Sequence, residues 1–138
     1  MSKIQSGPYV NFQGRAREAM EFYHKVLGGK LDLQTVNAQG AAKPAGPGER
    51  ISLARLEADG ALILGTDGHP DYPPKVGDHM AIALAGTDKK RLTKIFNDLS
   101  EGGRIKGPLA EQPWGGGGAV GWLMDKFGIN WTVTIDKA

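Results

Sequence analysis

The chain carries one pattern twice. Phe22-Tyr23-His24-Lys25-Val26-Leu27-Gly28-Gly29-Lys30-Leu31 closes an amphipathic segment in the first half, and Phe96-Asn97-Asp98-Leu99-Ser100-Glu101-Gly102-Gly103-Arg104-Ile105 closes another in the second. Phe22 and Phe96 stand 74 positions apart, as do Gly28 and Gly102. Each segment follows a short alternating stretch, Tyr9-Val10-Asn11-Phe12 or Met80-Ala81-Ile82-Ala83-Leu84. Each precedes a β-rich stretch with an Asp-Gly or Phe-Gly turn. The order implied is β-α-β-β-β, twice, and a repeat of this kind fixes the architecture before any single residue does. Half of the chain, roughly 65–70 residues, buries too little apolar surface to be comfortably stable alone. The halves are therefore expected to pack together or against a second chain.

The element pattern follows from periodicity. Tyr9 to Gln13 alternates as a strand does. Ala16 to Leu27 places Ala16, Ala19, Met20, Phe22, Tyr23, Val26 and Leu27 on one broad helical face. That face sets Phe22 in the helix core. Gly28-Gly29 ends the helix, and Lys30 to Val36 reads as a strand. Asn37 to Glu49 lacks a large apolar group and reads as a mobile loop. Ile51 to Glu57 and Ala61 to Gly65 flank Asp59-Gly60, a hairpin signal. Thr66 to Asp78, with Pro70, Pro73 and Pro74, is a linker. In the second half Met80 to Ala85 is a strand, Thr87 or Asp88 caps a helix to Leu99 or Ser100, and Ile105 opens a short strand. Gln112 to Gly118 is a glycine-rich loop carrying Trp114. Val120 to Met124 and Asn130 to Ile135 form a second hairpin around Lys126-Phe127-Gly128. The domain organisation expected is one domain over 1–138, with modules at about 7–66 and 78–136.

Several function classes are excluded by what the chain lacks. It has no cysteine, so no disulfide, thiolate zinc site or cysteine nucleophile can form. The net charge is +2 with both signs mixed, and Lys89-Lys90-Arg91 with Lys94 reads as a solvated helix face rather than a phosphate patch. No nucleic-acid or membrane partner is expected, and a soluble cytoplasmic protein is. Gly115-Gly116-Gly117-Gly118 is not a phosphate-binding loop, because no Lys-Ser/Thr follows and the next segment is a strand. No Ser aligns with a His and a carboxylate, so no catalytic residue is assigned.

The motifs Pro8-Tyr9-Val10-Asn11-Phe12, Ala19-Met20-Glu21-Phe22-Tyr23, Trp114 and Asp125-Lys126-Phe127-Gly128-Ile129-Asn130-Trp131 together resemble the PhnB-like branch of the vicinal oxygen chelate superfamily. That superfamily holds glyoxalase I, extradiol dioxygenases and bleomycin-resistance proteins. The resemblance covers essentially the whole chain. It implies an α+β fold in which two β-α-β-β-β modules form a curved eight-stranded incomplete barrel. It also implies a homodimer, and in the metal-dependent members a divalent ion held by His, Gln or Glu. The positions that correspond here are Gly7 or Pro8, a place near Leu64, His79, and a place near Thr132. One donor of the expected four remains, and a specific site needs three or more. No metal or other cofactor is expected. The branch is often labelled a ubiquinone methyltransferase, but the strand and helix order does not suit the doubly wound sheet such an enzyme needs.

Strand alternation then says which residues face a cavity. Met80, Ile82 and Leu84 fall on the helix side, whereas Tyr9, Asn11, His79 and Thr132 fall on the other. The ligand-binding candidates are Tyr9, Leu62, Leu64, Trp114 and Trp122 as apolar walls, with Asn11, Arg55, His79 and Thr132 as polar handles. An apolar lining with a few placed donors is the make-up of a small-molecule site. The expected function is metal-independent binding of a small aromatic or apolar molecule. The alternatives are a lyase or dioxygenase with a non-standard metal site, and a partner-binding protein whose cavity is vestigial.

Overall fold

The computed structural model of the chain describes residues 5–111 and 118–137. It divides into two compact units, Met1–Lys75 and Val76–Ala138. The first contains β1 (Tyr9–Asn11), α1 (Ala16–Leu27), β2 (Lys30–Val36), β3 (Ala42–Pro44), β4 (Leu53–Ala58) and β5 (Ala61–Thr66). The second contains β6 (Ile82–Gly86), α2 (Lys89–Ser100), β7 (Arg104–Glu111), β8 (Ala119–Met124) and β9 (Asn130–Ile135). The sheets are open, ordered β1-β5-β4-β2-β3 and β6-β9-β8-β7. Apart from β3, both read first strand, fourth, third, second. In each, the first and last strands are parallel and the other pairs antiparallel. Tyr9 stands opposite Leu64 and Ala83 opposite Thr132.

Each helix covers one face of its own sheet. α1 buries Ala16, Ala19, Met20, Tyr23 and Leu27, the i, i+3, i+4, i+7 stripe of a helix on a core. Beneath it lie Ala54, Leu56 and Ile63. Phe22, expected in the core, is only half-buried, and Tyr23 takes the enclosed place at 0% exposure. Successive helix positions differ by about 100°, so the edge of the apolar stripe runs between these two rings. α2 buries Leu92, Ile95, Phe96 and Leu99 against a face that includes Leu123, Trp131 and Val133.

The helix ends differ in their chemistry. Asp88 caps α2, its side chain accepting a hydrogen bond from the Arg91 N–H at 3.1 Å. Asp88→Ala is expected to cost about 1 kcal/mol in a urea titration; no measurable loss would show that the cap is not needed. α1 lacks a local side-chain cap. A distant carboxylate replaces it: Asp67 accepts from the Ala16 N–H at 2.8 Å through one oxygen and from the Ile51 N–H at 2.7 Å through the other. After each helix, the second glycine of the pair crosses strand backbone closely. A Cβ on Gly29 would collide with the Glu57 carbonyl and one on Gly103 with the Met124 carbonyl. The repeated Gly-Gly therefore ends the helix and also lets the chain pass under the neighbouring hairpin.

Three local expectations are corrected. The segment 37–49, expected to be a loop, contains β3, which pairs with β2 from Gln34↔Pro44 to Val36↔Ala42. Asn37 builds its turn by accepting from the Gln39 and Ala41 N–H groups, both at 2.9 Å. An exposed edge strand held by backbone bonds needs no apolar pattern, and its Pro44 suits an edge. The strand of the second unit starts at Ile82, not Met80, and Met80 is 76% exposed rather than on the helix side. β7 runs to Glu111 and is long rather than short.

Candidate functional site

The β registers assign a face to each candidate. Opposed residues share a face and the next residue takes the other. Tyr9, Leu64 and Arg55 are mutually opposed across β1, β5 and β4. Leu62, two residues from Leu64, joins them. Asn11 stands opposite Thr66 on that same face. All five thus lie on the side of the first sheet that α1 does not cover. Trp122 and Thr132 are opposed across β8 and β9, on the side that α2 does not cover. Strand alternation had put Tyr9, Asn11 and Thr132 on the sides away from the helices. Trp114 lies outside the described residues.

Sharing a face does not gather these residues into one site. Arg55 is engaged locally, its Nε donating to Glu57 at 2.8 Å and a terminal nitrogen to Gln5 Oε1 at 2.6 Å. Asn11 folds back on its own chain, its Oδ1 accepting from the Gln13 N–H at 2.9 Å. It lines a cavity of about 790 Å³ beside the start of α1, with Arg15, Arg17, Glu49, Arg50 and His69 among its walls. The cations there hold the scaffold together. Arg15 pairs with Glu18 at 3.1 Å, Arg17 donates to the Gly46 carbonyl at 2.6 Å, and Arg50 donates to the Gly68 carbonyl. The Gly46 N–H and Lys43 hold the Glu49 carboxyl below its usual range. Size alone would favour this cavity, but its polar groups already serve its walls.

A smaller cavity, about 300 Å³, lies in the second unit and brings together three candidates: His79, Trp122 and Thr132. Met80, Lys106 and Asn130 share its lining. Asn130 organises it. Its amide nitrogen donates to the main-chain carbonyls of Asp78 and Met80, each at 3.3 Å, and its Oδ1 accepts from Lys106 Nζ at 3.4 Å. The first two bonds tether the segment carrying His79, which lies ahead of β6, to the sheet. Trp122 is 38% exposed, and its six-membered ring lies against Gly107, where a Cβ would overlap Cε3 and Cζ3. Trp131 is enclosed at 0% on the opposite face. Asn130 and Lys106 were not foreseen as lining residues. Asn130 stood within the terminal motif, but the place of Lys106 depends on strand register.

The donor positions of a chelating site do not fit a metal here. Leu64 and Thr132 occupy sheet positions opposite Tyr9 and Ala83. His79, the one remaining donor of the expected four, lies ahead of β6 rather than within it. His24 shares a hydrogen bond with the Gly29 carbonyl at 3.0 Å, and His69 contacts Asp71 at 3.7 Å. Among the described residues no three His, Cys, Asp or Glu converge. A neutral Thr hydroxyl with one imidazole is a poor donor set for a divalent ion.

Comparison with known proteins yields a match over residues 5–134 to a family model described as 3-demethylubiquinone-9 3-methyltransferase. The crystal structure of protein PA1353 from Pseudomonas aeruginosa is similar at 32% identity, with 99% of this chain and 100% of that one covered and a TM-score of 0.81. A Bacillus cereus protein described as a putative 3-demethylubiquinone-9 3-methyltransferase, PhnB protein, is similar at 22% identity, covering 96% and 99%, with a TM-score of 0.73. A glyoxalase/bleomycin resistance protein from Albidiferax ferrireducens T118 shares the fold at 14% identity, covering 95% and 98%, with a TM-score of 0.62. The α+β architecture is therefore of the glyoxalase/bleomycin resistance kind, as the sequence motifs implied. Among the described residues no helix is long and apolar enough to cross a membrane.

Proposed function

The chain belongs to the family described as 3-demethylubiquinone-9 3-methyltransferase, and on that premise we propose that it binds a small aromatic or apolar molecule without a metal ion. Methyl transfer is not the reading its geometry favours. A doubly wound methyltransferase sheet is parallel with a glycine-rich turn after its first strand. Here each sheet has a single parallel pair among the described residues, and β1 passes into α1 through Gln13-Gly14-Arg15. The alternative is a lyase or dioxygenase with a non-standard metal site; binding without a metal is favoured because among the described residues no three His, Cys, Asp or Glu converge.

The observation that carries the proposal is the cavity of the second unit. It presents an indole face, a thioether and a few placed polar groups, the composition that suits an organic guest. The uncovered sheet faces also carry Tyr9, 62% exposed, and Trp122. We propose that a second copy of the chain helps to cover them, since a broad apolar face tends to be buried on association.

N-phenyl-1-naphthylamine, a neutral fluorescent probe, tests the binding reading. It is expected to bind the purified chain equally well with and without EDTA. Trp122→Ala should loosen it by about tenfold, the scale of a lost aromatic contact. No saturable binding, or binding abolished by EDTA, would contradict the proposal.

A further inference from the structure

We propose that the guest of this cavity is an aromatic molecule bearing an anionic group, with its ring on the Trp122 indole and its anion at Lys106 Nζ. The inference rests on the binding reading above and adds the charge of the ligand. Its basis is an irregularity in β7. Ile105 pairs with Leu123 and Gly107 pairs with Trp122, so two steps along β7 match one along β8 and Lys106 is the extra residue. Such a bulge re-aims a side chain, and bulges are enriched beside functional sites. Here it turns Lys106 to the cavity wall, where Nζ meets Asn130 Oδ1 at 3.4 Å. The next residue, Gly107, leaves the space that the six-membered ring of Trp122 occupies. Lys106 and Gly107 thus bring a cation and an aromatic ring to the lining of one cavity through one backbone device.

The charges around the site favour this assignment. The recorded partner of Lys106 is a neutral amide rather than a carboxylate. Asn130, which holds it, is 9% exposed and is itself fixed by the Asp78 and Met80 carbonyls. Asp78 is the one carboxylate among the lining residues; it is exposed, and its recorded bond to the site is through its main chain. An ammonium beside an apolar ring matches a carboxylate, sulfonate or phenolate on an aromatic guest better than a neutral or cationic one.

Two probes that differ by one sulfonate test this on the full chain: neutral N-phenyl-1-naphthylamine and anionic 1-anilinonaphthalene-8-sulfonate. Lys106→Met is expected to loosen the sulfonate about fivefold, the scale of a partly exposed charge pair, and to leave the neutral probe unchanged. Lys90→Met removes the same charge from the exposed start of α2 and should change neither. Gly107→Ala should weaken both probes by displacing the indole. The inference is overturned if Lys106→Met affects both probes alike or neither, or if Lys90→Met acts as Lys106→Met does. Failure of both probes to bind the unaltered chain would instead overturn the binding reading, and this inference with it.

Discussion

Asp125→Ala is expected to destabilise the chain by about 3–5 kcal/mol, because it removes a buried carboxylate that accepts three hydrogen bonds, one from an enclosed indole and two from a part-buried turn. Asp125 is 2% exposed. One carboxylate oxygen accepts from the Phe127 and Ile129 N–H groups at 2.9 and 3.0 Å, and the other accepts from Trp131 Nε1 at 2.9 Å. The main chain closes the same turn, with Asp125 N–H bonded to the Ile129 carbonyl at 2.8 Å. The Asp-Lys-Phe-Gly-Ile-Asn-Trp motif is thus a clamp that joins a hairpin turn to the enclosed indole of Trp131. Asp125→Asn should fall between wild type and alanine. Its remaining carbonyl can serve the turn, but its NH₂ then faces the indole N–H, donor against donor. Urea unfolding followed by tryptophan fluorescence measures this order. A loss below about 1 kcal/mol for Asp125→Ala, the net worth of one ordinary hydrogen bond, would show that the clamp does not hold the fold.

The second large effect belongs to α1. Tyr23→Ala should cost about 3–5 kcal/mol, as removal of a fully enclosed aromatic ring does. Phe22→Ala should cost roughly half as much or less, since part of that ring is already in water. Tyr23 packs 6.0 Å from the Phe12 ring and 5.8 Å from Phe22, tilted by 52° to each. The same urea experiment on both variants ranks them. A Phe22→Ala loss equal to or above that of Tyr23→Ala would put the core stripe on the other ring.

The contrast between these two rings shows where sequence reading reaches its limit. The span of α1 was legible because its signals are local: an amphipathic stripe and a glycine pair at its end. Which of two adjacent aromatics is enclosed depends on how the helix is rotated on its sheet, and both lie within one broad apolar face. The faces of Tyr9, Asn11 and Thr132 were legible because strand alternation is strict. β3 was not, because an edge strand is held by backbone bonds and the Asn37 turn. Lys106 and Asn130 could not be paired from the sequence. They are 24 positions apart, and their meeting depends on a register shift between β7 and β8 that no residue pattern announces. Asp125 was visible within the terminal motif, but its task as an acceptor for Trp131 required the turn geometry.

Leu64 and Thr132 stand where metal donors are expected from the family resemblance, and the proposed function is that the cavity takes an organic guest without a metal. Elemental analysis of the purified chain, paired with thermal unfolding before and after EDTA, tests it most directly. The account predicts metal far below one ion per chain and an unchanged Tm, because no ion binds the native state. One zinc, nickel, manganese or iron ion per chain, released by EDTA with a clear fall in Tm, would contradict it.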